Sequence, residues 1–215
     1  LEPVRSPADR AAVRGEVLGV LTQVLEDSGR AVQLLRAVQD RAGGAFARVE
    51  RVDVVRVVRS CLTLERRLLQ DRRIALRFET AIESAYLTGD PNSLFELVVN
   101  LARNAADAYE GRSGAVDVDL SRENDRLRLR VTDQGSGIPP ENLAMVFEPG
   151  FTTKEFGKGS GMGLALVRSV AQEIFRGSVH IDSTVGKGTT FTVSVPVPPQ
   201  RAADTGAQPA ADTGA

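Results

Sequence analysis

The stretch that most restricts what this chain can fold into is the glycine-studded run over residues 133–164. It opens Asp133-Gln134-Gly135-Ser136-Gly137-Ile138-Pro139 and closes Gly157-Lys158-Gly159-Ser160-Gly161-Met162-Gly163-Leu164. Glycine lets backbone approach a ligand closely and take positive φ, and successive amides at a helix start attract phosphate. A strand-like pattern, Leu127 to Thr132, leads into the run, and a helix-like one leaves it at Gly163. Neither GxxxxGK[ST] nor GxGxxG is present, so the usual nucleotide loops do not account for these glycines. By itself an Asp before Gly is a turn residue. What precedes the run decides its meaning.

A helical pattern over residues 93–109 puts Leu94, Leu97, Val98, Leu101, Ala105 and Ala108 on one side. Glu96, Asn100, Asn104 and Asp107 recur at steps of four, four and three, which lines their polar groups along a second stripe. A solvated helix face usually carries Lys and Glu there, whereas asparagine is a modest helix former and needs a reason. Amide and carboxylate oxygens suit a hard cation such as Mg²⁺ shared with phosphates. Asp133, at a strand end, can accept from an exocyclic amino group and thereby select adenine.

From residue 50 the elements run helix (54–70), strands (74–79 and 85–88), helix (93–109), strands (115–120 and 127–131), glycine loop, helix (163–175), strands (177–181 and 189–197). Hairpins alternating with helices predict an α+β fold: a two-layer sandwich of one mixed, mostly antiparallel sheet with helices on one face. Gly89-Asp90-Pro91-Asn92 reads as a turn. Upstream, Ser6-Pro7-Ala8-Asp9 starts a long N-terminal helix. Its apolar positions Val17, Leu21, Val24, Ala31, Leu35 and Val38 keep a heptad spacing that asks for partner helices. Residues 199–215, rich in Ala, Asp, Thr and Gly, read as a disordered tail. The expected division is thus a helix and linker at 1–48, a ligand-binding domain at 49–198 and the tail.

Composition excludes several functions. A net charge of -1 provides no field to gather nucleic acid or an anionic membrane. A single cysteine, Cys61, rules out an internal disulfide framework and fits a reducing, cytoplasmic compartment. No run is apolar enough to span a bilayer. The start at Leu1 without Met leads to the expectation of a piece of a longer protein, whose anchor, if any, lies elsewhere.

Together these segments resemble the ATP-binding catalytic domain of sensor histidine kinases, in the superfamily shared with gyrase, heat-shock chaperones and mismatch-repair ATPases. Asn100-Leu101-Ala102-Arg103-Asn104-Ala105 is similar to the family's N box and Asp133-Gln134-Gly135-Ser136-Gly137 to its G1 box. Phe147-Glu148-Pro149-Gly150-Phe151 resembles the F box and Gly159-Ser160-Gly161-Met162-Gly163-Leu164 the G2 box. Each is weak alone; four in order over these elements are specific, and the resemblance covers about residues 50–198.

The resemblance implies ATP and Mg²⁺ as cofactors, with Asn104 on the metal, Asn100 beside it at the phosphates and Asp133 on the adenine amino group. Gly135 and Gly137 would pass the base, and Gly159, Gly161 and Gly163 the phosphates. It also puts Arg103, Asp107, Ile138, Phe147, Thr153, Ser160, Met162 and Leu164 at the nucleotide. Residues 141–160 would be a lid from which Lys154 or Lys158 reaches a phosphate. Superfamily ATPases carry a glutamate at the position of Asn100 to activate water, so an amide there favours phosphoryl transfer over hydrolysis.

The family phosphorylates a histidine on a dimeric helical hairpin and relays the phosphate to an aspartate of a response-regulator receiver domain. Those are the implied partners, with a homodimer through the N-terminal helices. The only histidine here, His180, falls in the strand pattern Val179-His180-Ile181 and reads as a structural residue. The N-terminal helix resembles the hairpin's second helix, so the expected acceptor lies outside this chain and the fragment would not autophosphorylate. An ATP-sensing module or a degenerate kinase is the alternative; a gyrase-like conformational ATPase is disfavoured by Asn100.

Overall fold

The structure, a computed structural model, describes residues 49–154 and 159–197. The predicted N-terminal helix, Lys158 and the tail from residue 199 lie outside the described residues. A short strand β1 (Glu50–Asp53) runs into helix α1 (Val54–Asp71), then strands β2 (Ile74–Glu79) and β3 (Tyr86–Gly89), then helix α2 (Pro91–Asp107). A hairpin of β4 (Gly114–Glu123) and β5 (Arg126–Asp133) follows, then the glycine region with one 3-10 turn, Pro140–Asn142. Helix α3 (Gly163–Ser169) continues through a π turn (Val170–Ile174) into the hairpin β6 (Ser178–Thr184) and β7 (Gly188–Pro196).

Local chemistry explains the helix starts. The Asp53 carboxylate caps α1 by accepting the Arg56 N–H at 3.3 Å. Asp90 caps α2, accepting from the Ser93 N–H at 2.8 Å and its hydroxyl at 2.6 Å. Pro91 then takes the first helical position, where its missing N–H costs nothing. The segment read as a turn at 89–92 is therefore a helix cap.

The main sheet has five strands in the order β2-β4-β5-β7-β6, with β2 and β4 parallel and all other neighbours antiparallel. One correction to the sequence reading concerns β3. It does not join this sheet but pairs antiparallel with β1 in a separate two-stranded ribbon, Glu50 opposite Gly89 and Asp53 opposite Tyr86. Val116, Val118 and Leu120 of β4 and Leu127, Leu129 and Val131 of β5 are buried, and the residues between them are polar. That period-two pattern gives one core face and one wet face. Leu97, Val98, Leu101 and Ala105 of α2 and Val58, Leu62 and Leu69 of α1 bury their stripes in the same core.

The wet face is stitched by cross-strand ion pairs, Arg130–Asp119 at 3.2 Å and Arg128–Glu123 at 2.7 Å among them. His180 stands exposed on this side of β6, opposite Thr192. Cys61 lies buried on α1, and burial, reinforced by the Glu65 charge, pushes its thiol up to about 12. It is an unreactive core residue. Among the described residues no helix is long and apolar enough to cross a membrane.

Candidate functional site

A cavity of about 1000 Å³ opens between the C-terminal half of α2, the ends of β5 and β7, and the glycine region. Asn100, Asn104 and Asp107 of the stripe read on α2 face it, because burying Leu97, Leu101 and Ala105 turns the opposite positions outward, whereas Glu96, the first of the stripe, does not line it. Asn100, Arg103, Asn104 and Asp107 all line the cavity. Asn100 donates one Nδ2 hydrogen to the Glu96 carbonyl at 2.8 Å, which orients the amide and leaves Oδ1 as its acceptor. A Cβ built at Gly163 would fall 2.6 Å from that Oδ1, so a side chain there would displace the Asn100 amide from its place at the cavity.

Asp133 ends β5 opposite Thr189 of β7, and its side chain lines the cavity while the residue is only 3% exposed. It accepts the Gly135 N–H at 2.8 Å. Burial raises its carboxyl above the usual range, opposed by the Gly135 and Thr189 N–H groups. A buried acceptor beside a cavity can bind a donor on a flat heterocycle at little reorganisation cost.

The loop after Asp133 is tied to the end of α2. Ser136 donates its N–H to the Ala108 carbonyl at 2.9 Å, and a Cβ at Gly135 would sit 2.6 Å from that same oxygen. Gly137 and Ile138 also line the cavity, and the Ile138 N–H is held by the Ser183 hydroxyl at 2.9 Å. On the far side, the Gly150 N–H meets the Gly161 carbonyl at 3.0 Å and closes the base of the segment between them. Thr153, Lys154, Gly159, Ser160, Gly161, Gly163 and Leu164 line this wall.

Three residues predicted at the site do not line the cavity. Gly135 lies behind the wall and serves by its close approach to Ala108. Phe147 stacks edge-on against Phe191, centroids 6.3 Å apart, and it is Phe191 that faces inward. Met162 precedes α3, its N–H bonded to the Ser160 hydroxyl at 3.3 Å. Lys154 forms an ion pair with Asp107, whose other oxygen takes Arg72 at 2.6 Å. Lys158, the other lysine considered, lies outside the described residues.

Sequence reasoning missed Thr189, Phe191, Asn142 and Val146, which also line the cavity. Thr189 is buried and shares a 2.9 Å bond with Ser183 between their hydroxyls. Only its register against Asp133, from the far end of the chain, gives it away. Glu65 was missed as well. It is 4% exposed on α1 and holds Arg103 by two bonds of 3.0 and 2.9 Å.

Among the described residues no cluster of three or more His, Cys, Asp or Glu could cage a metal ion. The donors at hand, the half-buried Asn104 and its neighbour Asn100, fit a Mg²⁺ that draws most of its ligands from phosphate and water.

Residues 89–199 match the family described as histidine kinase-, DNA gyrase B- and HSP90-like ATPase. Over 191 residues the chain is 30% identical to the sensor histidine kinase ZraS of Salmonella typhimurium, covering 88% of this chain and 40% of that one. The chain thus spans about 40% of the length of such curated relatives. The solved mycobacterial sensor histidine kinase MprB superposes with a TM-score of 0.61 at 30% identity, over 71% of this chain and 99% of that chain. Full-length ShkA in complex with AMPPNP shares the fold at 24% identity and a TM-score of 0.64, over 91% of this chain and 40% of that chain.

Proposed function

This chain belongs to the histidine kinase-, DNA gyrase B- and HSP90-like ATPase family, and on that premise we propose that it is the ATP-binding catalytic domain of a two-component sensor histidine kinase. The domain spans residues 49–198, and the resemblance assigns the residues before it to the dimerisation hairpin. The observation that carries this reading is the pairing of a buried carboxylate, Asp133, with the Asn100 and Asn104 stripe across one cavity.

In this reading Asp133 accepts the adenine amino group, while Thr189 and the Gly135 amide hold its carboxylate in place. Ile138, Leu164 and Phe191 supply apolar contact to the base. Asn104 offers its carbonyl to Mg²⁺ and Asn100 sits beside it at the phosphates. Bound Mg²⁺ neutralises charge on the β- and γ-phosphates. Gly159, Ser160 and Gly161 approach the phosphates with backbone amides.

Asn100 bears on the reaction type. Its amide nitrogen is engaged with Glu96, and an amide cannot take a proton from water. Catalysis then rests on positioning the γ-phosphate, without a base to spend it on water. The acceptor is a histidine outside this chain, since His180 stands on the wet face of β6, on the sheet side away from the core. From there the phosphate passes to a receiver-domain aspartate, and the protein works as a homodimer in the cytoplasm.

Calorimetric titration of ATP with Mg²⁺ tests the site. The unmodified chain is expected to bind, and Asn104→Ala is expected to lose binding in Mg²⁺ while its melting temperature stays unchanged. Normal binding by Asn104→Ala would refute the metal assignment.

A further inference from the structure

Tyr109 was no part of the site as read from the motifs, and it does not line the cavity. It follows the last turn of α2, with its ring 5% exposed. A Cβ at Gly114 would meet that ring at 2.1–2.4 Å, so β4 starts pressed against it. Its hydroxyl donates to the Ala115 carbonyl at 2.5 Å. It accepts the Gln134 N–H at 2.9 Å and the Ala115 N–H at 3.3 Å. A phenol has one hydrogen to give and two lone pairs to fill, so this hydroxyl is fully used.

The three partners are not of equal interest. The Gln134 N–H belongs to the peptide that leaves Asp133. The next N–H, of Gly135, is taken by the Asp133 carboxylate, and the one after, of Ser136, by the Ala108 carbonyl. Two of three successive amides are therefore pinned to the end of α2, and the one between them is the amide that aims the carboxylate. Without the Tyr109 hydroxyl, the Asp133–Gln134 peptide would lose its tie to the end of α2 and could shift the Gly135 N–H that meets the carboxylate, with only the β5–β7 pairing and Ser136 to restrain it. We propose that Tyr109 is a positioning residue that sets the Asp133 carboxylate for the exocyclic amino group of adenine, and so helps determine base selectivity. The inference rests on the assignment of Asp133 to the base and extends it. It also ties the base-binding loop to the helix carrying Asn100 and Asn104.

Tyr109→Phe keeps the ring under Gly114 and removes only the hydroxyl. The test compares ATP with purine riboside triphosphate, which lacks the amino group, by calorimetry in Mg²⁺. The expected result is a fivefold to tenfold loss for ATP, about the worth of one hydrogen bond, with purine riboside triphosphate unchanged. Equal losses for both nucleotides, or no loss for ATP, would overturn the proposal, because a merely structural role moves the two together. If the unmodified chain binds ATP no better than purine riboside triphosphate, the assignment of Asp133 to the base fails first, and that outcome is read without the variant. Hydrogen exchange on the unmodified protein gives a second reading. The Gln134 amide is expected to exchange as slowly as the amides of α2, and fast exchange there would overturn the anchoring.

Discussion

Replacing Asp133 with asparagine separates what this residue does for the ligand from what it costs the fold. The side chains have the same shape, and an asparagine oxygen can still accept the Gly135 N–H. The charge, however, is gone from a site that is 3% exposed. Burial raises the carboxyl above the usual range, so the ionised form is disfavoured in the folded state relative to the unfolded one. Removing it relieves that cost but also takes the charged acceptor away from the Gly135 and Thr189 N–H groups, so the two effects oppose and the melting temperature of the ligand-free chain is expected to change little. Binding should move the other way. A hydrogen bond to a charged acceptor is worth about 1.5–3 kcal/mol, or roughly 10- to 150-fold in affinity. At an ATP concentration 100 times the dissociation constant, the unmodified chain gains about 2.7 kcal/mol, some 5–11 °C for a domain of this size. If the constant rises 100-fold, the gain at the same concentration falls to about 0.4 kcal/mol, roughly 1 °C. Differential scanning fluorimetry with and without ATP and Mg²⁺ reads both effects in one experiment. A full ATP shift in Asp133→Asn would remove Asp133 from the base. A large drop in the ligand-free melting temperature would show that its role is structural.

Two further outcomes follow from the same geometry. If Asp133 receives the adenine amino group as proposed, binding favours its ionised form, and its raised carboxyl takes up a proton at a higher pH than an ordinary aspartate. The ratio of ATP to purine riboside triphosphate affinity should therefore fall on acidification before ordinary aspartates titrate, and should be flat in Asp133→Asn. The folded state gains from the same protonation, so this group adds no acid lability of the ligand-free chain in that window. A ratio independent of pH down to the ordinary carboxylate range would contradict the burial argument. For the ion pair, Arg103→Ala strips two bonds from the buried Glu65 and should cost about 2–4 kcal/mol in denaturant unfolding. Changing both residues to methionine should recover most of that loss. If the double change costs as much as the single one, the burial of Glu65 is not what makes the pair matter.

The parts legible in the sequence were those written locally. Most of the α2 stripe could be read from spacing alone because a helix turns every 3.6 residues, and the structure turns Asn100, Asn104 and Asp107, though not Glu96, to one cavity. The β4–β5 and β6–β7 hairpins were legible for the same reason, as neighbours in the chain. What escaped depends on pairing at a distance. The four-residue β1 carries no pattern of its own, and its partner β3 lies across the whole of α1. Thr189 reaches Asp133 only through the register of β5 against β7. Glu65 looked like one more polar position of α1, since its partner Arg103 sits 38 residues on. Tyr109 was hidden by its type, an aromatic at a helix end that reads as core and whose hydroxyl matters only once β4 and the loop fold around it.

The central claim is that this cavity transfers the γ-phosphate of ATP to a protein histidine and does not spend it on water. Incubating the chain with γ-labelled ATP, Mg²⁺ and a separate histidine-bearing helical hairpin of a sensor kinase measures both fates at once. The account predicts acid-labile label on the added hairpin, none on this chain, and little free phosphate. Steady release of labelled phosphate with no labelled protein would contradict it, as would stable label on this chain alone.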